Sequence, residues 1–130
     1  MRVAVVLALL VIADVVVDLT LSGRAGTLHH QRPAVVVIPV LLLGLCLWQT
    51  AHQLGRLGQI GALIALTGAT GNAVCALADR QGVADYLYLT VGQRMVVFNV
   101  ADLALAIGFA LVLVSVCALW ASRAWRLAGG

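Results

Sequence analysis

The sequence predicts an all-α membrane protein with four transmembrane helices. Of its 130 residues, 63% are hydrophobic and only 10% are charged, and the mean hydropathy is +1.08. Soluble domains carry about 25% charged residues, and a chain of this length cannot hide so much apolar surface from water. Four apolar stretches also approach the ~20 residues that a helix needs to cross about 30 Å of hydrocarbon.

One polytopic membrane domain, 1–130, accommodates these spans. They are expected at approximately residues 3–21, 34–50, 60–78 and 96–121. The first is interpreted as a retained helix and not as a cleaved signal peptide, because its apolar run continues through Asp14 and Asp18 and no A-x-A-like site ends it. The second is short, and Pro39 near its start is expected to kink it.

Glycines precede and enter the third span, and an acidic pentapeptide begins the fourth. These glycines either allow close helix approach in lipid or are simply tolerated there: Gly55, Gly58, Gly61 and Gly68.

The pentapeptide FNVAD (98–102) places Asp102 at the head of an almost wholly apolar run. Placing a charged carboxylate at the edge of a membrane span costs free energy, so the presence of Asp102 there requires an explanation.

Charge and cysteine patterns exclude some classes of function. No basic run is present that could follow a phosphate backbone, so nucleic-acid binding is not expected. All eight basic residues are arginine and divide four against four between the two sides, so they do not orient the chain. The cysteines lie in apolar stretches without CxxC spacing and are expected to be free thiols: Cys46, Cys75 and Cys117.

Five aspartates form the candidate chemistry. Asp14, Asp18 and Asp102 lie within or at the edge of spans, whereas Asp79 and Asp85 lie in the loop 79–95. Two carboxylates brought close together share a proton readily and can activate water by general acid–base catalysis. Structural alternatives stay open: Asp102 is also suited to capping its helix, and Asp14 and Asp18, four residues apart on one helical face, to a polar helix–helix seam or a water-facing strip.

Two asparagines lie near the same span ends. Asn72 and Asn99 are expected at the ends of the third and fourth spans, where buried amides need hydrogen-bond partners and carboxylates provide them. Asp79 and its neighbour Arg80 are adjacent in the loop, and a solvated or capping pair is the simpler interpretation for them.

The motifs together resemble the bacterial lipoprotein signal peptidase (signal peptidase II) family. Its members carry approximately G-A-x-G-N-x-x-D-R, then G-x-V-x-D-F, then F-N-x-A-D with a glycine six residues later. This chain has GATGN (68–72), GVADY (82–86) and FNVAD (98–102), with Gly108 six residues beyond. The first-span segment VVVDLTL (15–21) also resembles the family's D-Q-x-T-K motif.

The resemblance implies roles for individual residues. Asp85 and Asp102 match the family's catalytic dyad, and Asn72 and Asn99 match polar residues that support it. Asp18 matches the first-span aspartate. The family also implies a multi-pass protein of the bacterial inner (plasma) membrane with cytoplasmic termini, and a dyad near the outer face.

The chain departs from the family pattern at several positions. Cys75 occupies the place of the acid in D-R, and Asp79, followed by Arg80, lies one helical turn later and is expected to recover that role. The loop 22–33 is too short for three strands with turns, so we expect a bundle that lacks most of the family's extracytoplasmic β platform.

The expected function is an aspartic endopeptidase that removes signal peptides from diacylglyceryl-modified prolipoproteins, with Asp85 and Asp102 activating water. Two carboxylates and a water suffice for that chemistry, so no cofactor or metal is expected. Membrane lipid and the prolipoprotein are the expected partners. A non-proteolytic relative that binds a lipidated peptide or a partner transmembrane helix is the alternative, and a proton-conducting helper is a third.

Overall fold

The computed structural model describes residues 9, 11–17, 20, 28–30, 34–78 and 83–129. Residues 11–17 are helical. Three longer helices follow, α1 (Ala34–Thr50), α2 (Gly55–Ala78) and α3 (Val100–Ala128), with a 3-10 turn (Ala51–Leu54) between α1 and α2. Four short strands complete the described part: β1 (Leu28–His30), β2 (Val83–Asp85), β3 (Leu87–Val91) and β4 (Arg94–Phe98).

Helices α1 and α2 form an antiparallel hairpin that turns at Gly55. Gly55 has φ +73°, a left-handed conformation that residues with a Cβ rarely adopt. Gly44, eleven residues before the turn, lies against Leu66, eleven residues after it. This equal spacing requires the two helices to run side by side in opposite directions. The role of Gly55 is therefore the turn itself, and not the close helix approach that we expected.

Helix α2 packs most extensively against α3, and glycines set the distance between them. A Cβ at Gly68 would overlap the carbonyl oxygen of Ala101, and one at Gly61 would lie 2.8 Å from the carbonyl oxygen of Gly108. Gly108 in turn has no room for a Cβ beside the backbone nitrogen of Ala65. Backbone therefore contacts backbone along this interface, as the sequence predicted for Gly61 and Gly68.

A small apolar cluster joins the hairpin to α3. Ala51, Ala62 and Val112 are buried together, one from each of the 3-10 turn, α2 and α3. Many large apolar side chains of α3 are instead exposed, among them Ile107, Leu113 and Val114. A water-soluble protein rarely exposes so much contiguous apolar surface, and a helix surrounded by lipid does.

Among the described residues, two stretches are long and apolar enough to cross a membrane, Val40–Ala78 and Val100–Ala128. The first of them contains the turn at Gly55 and so comprises part of α1 and all of α2. The multi-pass arrangement with four spans stays a prediction, because much of the expected span 3–21 lies outside the described residues.

The strands form two separate antiparallel pairs. β1 pairs with β2, with Leu28 opposite Asp85. β3 pairs with β4 from Leu87 opposite Phe98 to Val91 opposite Arg94, around a two-residue turn at Gly92 and Gln93. Gly92 has φ +62°, as the primed turns of tight hairpins require.

The expected all-α architecture therefore needs correction. The loop 79–95 contains β2, β3 and the start of β4, and α3 begins at Val100 and not at residue 96. The short loop 22–33 does hold a strand, β1, because its partner β2 comes from the other side of the α1–α2 hairpin. Counting residues within one loop could not reveal a sheet that two loops build together.

The helix interface predicts that Gly68→Ala destabilises the fold and that Gly44→Ala does not. Both changes lie inside helices and gain the same helix propensity, about 0.5–1 kcal/mol. The new methyl at position 68 meets the backbone of α3, whereas at position 44 it meets the end of the Leu66 side chain, 3.0 Å away, which can turn aside. Overpacking of this kind costs about 1–3 kcal/mol.

The measurement is the unfolding midpoint of the purified protein in one detergent. We expect a lower midpoint for Gly68→Ala than for wild type, and an unchanged or higher midpoint for Gly44→Ala. Equal midpoints for the two variants would contradict the close approach of α2 and α3.

Candidate active site

Helix α3 begins with a capped turn that contains a carboxylate. Asn99 has an extended backbone (φ −117°, ψ 178°), and its side-chain Oδ1 accepts a hydrogen bond of 2.8 Å from the backbone N–H of Asp102. This contact satisfies one of the backbone donors that a helix leaves open at its start. The cap is therefore Asn99, and Asp102 lies in the first turn of the helix with its side chain available for another purpose.

The carboxylate of Asp102 is held from α2. Asn72 Nδ2 donates to Asp102 Oδ1 at 2.7 Å, and Asn99 Nδ2 donates to Asn72 Oδ1 at 3.0 Å. Together with the cap, these bonds close a ring through Asn99, Asn72 and Asp102. Both amide side chains are buried, with 7% of Asn72 and 2% of Asn99 exposed. Each amide uses its donor and its acceptor within the ring, so neither can flip without losing bonds.

The packing of α2 explains why Asn72 reaches Asp102. Gly61, Ala65, Gly68 and Asn72 recur at helical spacing on the face of α2 that meets α3. Their small size lets the two backbones approach, so a short asparagine side chain spans the remaining gap. The hydrogen-bonded ring is thus a consequence of the glycine interface one turn away.

Asp85 lies at the end of β2, beside the same helix end. Asp85 is only 2% exposed, and its strand, β2, contacts α2. Tyr86, the next residue, accepts a hydrogen bond of 3.4 Å at its hydroxyl from the backbone N–H of Val100. The base of the β3–β4 hairpin, Leu87 opposite Phe98, brings the chain after Asp85 next to the chain before Asp102.

Four of the seven predicted site residues lie within the described part of the chain. Asn72, Asn99 and Asp102 are joined directly by hydrogen bonds, and Asp85 is placed nearby through Tyr86 and the hairpin base. The other three, Asp18, Asp79 and Arg80, lie outside the described residues, so their roles stay predictions. Cys75 is buried one turn after Asn72 on α2.

A cavity of about 220 Å³ opens beside this arrangement. Residues from the N-terminal helical segment, α2, α3 and the strand region line it, and the lining is almost wholly apolar. Asp14, Thr67 and Tyr86 are the lining residues with polar side chains, and their polar atoms contribute almost nothing to the cavity surface. From the sequence, Asp14 was interpreted as part of a polar helix–helix seam, of a water-facing strip or of a proton relay. Its spacing of four from Asp18 was the available signal, and it did not indicate a cavity.

A family model described as signal peptidase (SPase) II matches residues 17–118, which include Asn72, Asp85, Asn99 and Asp102. The chain belongs to the signal peptidase II family. It is also 37% identical over 81 residues to a lipoprotein signal peptidase of Beijerinckia indica subsp. indica. That match covers 62% of this chain and 46% of the relative, so the chain spans about half the length of the curated relative it matches. No solved structure matches the chain significantly.

Family membership confirms the resemblance that the motifs indicated. All three motifs of the signal peptidase II pattern, GATGN, GVADY and FNVAD, fall inside the matched range. Asp14 precedes the first matched residue. Asp14 therefore lies outside the part of the chain that the family model describes.

The hydrogen-bonded ring predicts that Asn72→Leu lowers stability. The change removes one donor and one acceptor, and it leaves the buried amide of Asn99 and the half-buried carboxylate of Asp102 without these bonds. Leaving a buried polar group unsatisfied costs about 1–3 kcal/mol. We therefore expect a clearly lower unfolding midpoint in detergent.

The matched control is Thr70→Val on the same helix. The hydroxyl of Thr70 donates only to the carbonyl of Leu66, one turn earlier, so this near-isosteric change should cost little. The Asn72→Leu/Asn99→Ala double variant should lose less than the sum of the single variants, because both break the same ring. Additive losses would contradict a coupled network.

Proposed function

We propose that this chain is an aspartic membrane endopeptidase that removes signal peptides from diacylglyceryl-modified prolipoproteins. Family membership supports lipoprotein processing in general. The proposal adds the reacting groups, which are the carboxyls of Asp85 and Asp102, and the substrate, which is the peptide bond preceding a lipidated cysteine.

The observation that carries the proposal is the ring that holds Asp102. Asn99 already caps the start of α3 by accepting the backbone N–H of Asp102. The side chain of Asp102 is therefore not needed as a cap. Instead a second buried amide, Asn72, extends from α2 to fix Oδ1 of Asp102 at 2.7 Å. Fixing a reactive group before the substrate arrives is how an enzyme avoids losing orientational entropy during the reaction. The ring thus serves orientation more than helix stability.

The chemistry is a hydrolysis with a balanced proton transfer. One carboxyl begins ionised and removes a proton from water as the water oxygen attacks the carbonyl carbon of the scissile peptide. The other begins protonated and gives its proton to the leaving nitrogen as the C–N bond breaks. After one turnover the two carboxyls have exchanged protonation states, and transfer of their single proton from one to the other, directly or through a water, restores the starting pair.

The apolar surroundings suit a substrate held in the membrane. The residues that follow Asp102 in α3 present exposed apolar side chains, for example Leu103 and Ile107. A signal peptide with a lipidated cysteine is itself apolar, and it can approach such a surface through the bilayer. Low dielectric around the dyad also strengthens its interaction with the developing charge.

A non-proteolytic binding protein is the second candidate. Cys75, and not an acid, occupies the position one turn after Asn72, and it is buried with 1% exposed. A binder would hold the lipidated peptide without using either aspartate as acid or base. The peptidase requires the carboxyl groups of Asp85 and Asp102 for its activity, whereas the binding protein does not.

The test is cleavage of a diacylglyceryl prolipoprotein by the purified chain in detergent or in vesicles. Asp85→Asn and Asp102→Asn should each lower kcat by at least about 10²-fold, the usual contribution of one acid–base group. An asparagine at position 102 still offers Oδ1 to Asn72, so the unfolding midpoint should change little.

The control is Ser122→Ala, near the far end of α3, whose hydroxyl donates only to the carbonyl of Leu119. It should cleave as wild type does. Undiminished turnover in either aspartate variant would remove that residue from the dyad. Tight binding of the lipopeptide by wild type without any cleavage would favour the binding protein.

A further inference from the structure

A groove lies at the end of the α2–α3 pair that is remote from the candidate active site. It has a volume of about 410 Å³ and opens to the surroundings. The 3-10 turn, the first turn of α2 and the C-terminal half of α3 form its wall, which includes Leu54, Leu57, Ala118 and Leu119. Gly55, another lining residue, precedes Asn72 by 17 residues, which is about 25 Å of helix. Since the hydrocarbon of a bilayer is about 30 Å thick, the groove and the candidate site lie toward opposite membrane surfaces.

The interior of this groove is mainly apolar. Leucine and alanine side chains form most of its wall. Ser115 and Ser122 also line it, but each donates its hydroxyl at 2.8 Å to a backbone carbonyl of its own helix. The groove therefore suits an apolar chain better than a polar molecule.

Cationic side chains lie at the outer edge of the groove. Nε of Arg126 donates at 3.2 Å to the backbone carbonyl of Ser122, so its guanidinium lies beside a lining residue. This bond leaves both terminal NH₂ groups of Arg126 for another partner. Arg56 and Arg123 are each adjacent in sequence to lining residues, and both are exposed. The edge of the groove therefore combines a positioned guanidinium with two further positive charges.

No described aspartate neutralises these cations. The aspartates within the described ranges lie at the other end of the helix pair, namely Asp14 against Gly71, Asp85 on β2 and Asp102 in the first turn of α3. Three cations without a neighbouring acid attract an anion. At a membrane surface the abundant anions are phospholipid headgroups, and a guanidinium binds phosphate with paired hydrogen bonds.

Tryptophans indicate that this end lies at the level of the headgroups. Trp120 and Trp125 are 75% and 82% exposed, and exposed indole rings of membrane proteins concentrate where hydrocarbon meets headgroups. Along α3 the groove lining runs from Ser115 to Ser122, and Arg126 lies one turn beyond it. An apolar wall followed outward by a cation matches the order of acyl chain and phosphate in a phospholipid.

We propose that this groove binds an anionic phospholipid of the surrounding membrane. An acyl chain lies along Leu57, Ala118 and Leu119, and the phosphate binds Arg126 with support from the neighbouring arginines. Because the lipid contacts both α2 and α3, it stabilises the helix pair at the end remote from the bond between Asn72 and Asp102. The inference does not rest on proteolytic activity and holds whether or not the chain cleaves a peptide.

The test measures the unfolding midpoint of the purified chain in a nonionic detergent during titration with lipid. A ligand that binds only the folded state raises the midpoint as its concentration rises, which yields an apparent Kd. We expect phosphatidylglycerol to bind at least about tenfold more tightly than phosphatidylcholine with the same acyl chains, because only the former carries a net negative charge toward the arginines. Equal affinities for the two lipids would overturn the inference, and so would an equal rise in midpoint with inorganic phosphate alone.

The first variant removes the cation at the groove edge. Arg126→Gln should weaken phosphatidylglycerol binding by about fivefold and leave phosphatidylcholine binding unchanged. The matched control is Arg94→Gln, which makes the same change of net charge at an exposed position in the β3–β4 hairpin. It should leave both affinities unchanged. Equal losses in the two variants would mean that lipid responds only to net charge, and the groove would have no role.

The second variant fills the groove without changing any charge. Ala118 is exposed in the groove wall, so Ala118→Phe places a ring where the acyl chain lies. It should weaken phosphatidylglycerol binding by about tenfold, which corresponds to the lost burial of roughly two methylene groups. Ala121→Phe, at an exposed position outside the groove lining, should bind as wild type does.

The midpoint of each variant without lipid serves as its own baseline, so a change in intrinsic stability does not enter the Kd. Wild-type affinity in Ala118→Phe would show that the arginines hold the headgroup without the groove, and the inference would fail. A similar loss in Ala121→Phe would overturn it as well, because a ring outside the groove cannot displace a chain that lies within it.

Discussion

The close approach of α2 and α3 is the constraint on which the rest of the structure depends. In lipid, apolar side chains gain little by leaving one apolar surface for another, so helices associate through tight packing and hydrogen bonds. Gly61 and Gly68 on α2 and Gly108 on α3 permit backbone contact along the interface. The distance that they set is also what allows Asn72 to reach Asp102 across the interface. The packing of α2 on α3 and the hydrogen bond that holds Asp102 therefore both depend on the short distance between the two helices.

The sequence predicted the polar site better than it predicted the fold around it. GATGN and FNVAD indicated Asn72, Asn99 and Asp102 as partners, and the structure joins them by hydrogen bonds. The assignment of cap and functional group could not be made from the sequence, because Asn99 and Asp102 are both good N-cap residues. The choice depends on where α3 begins, which periodicity in a continuous apolar run does not reveal.

The strands were missed for a different physical reason. Val96, Val97 and Phe98 are apolar and only Asn99 separates them from α3, so they were assigned to the start of the fourth span, 96–121. The features that favour a strand are the β-branched and aromatic residues and the glycine at position 92, which needs a positive φ. The position of Asp14 beside Gly71 was also not predicted, because the two residues are 57 apart along the chain and only the helix packing brings them together.

The two proposed catalytic carboxylates are held by structures of different strength. Asp102 is fixed by side-chain bonds inside the helix pair, where backbone contacts and buried amides support one another. Asp85 lies on a three-residue strand that pairs with β1 and contacts α2, and the neighbouring Tyr86 accepts the backbone N–H of Val100 at its hydroxyl. A change in either loop can thus shift Asp85 relative to Asp102 without disturbing the ring.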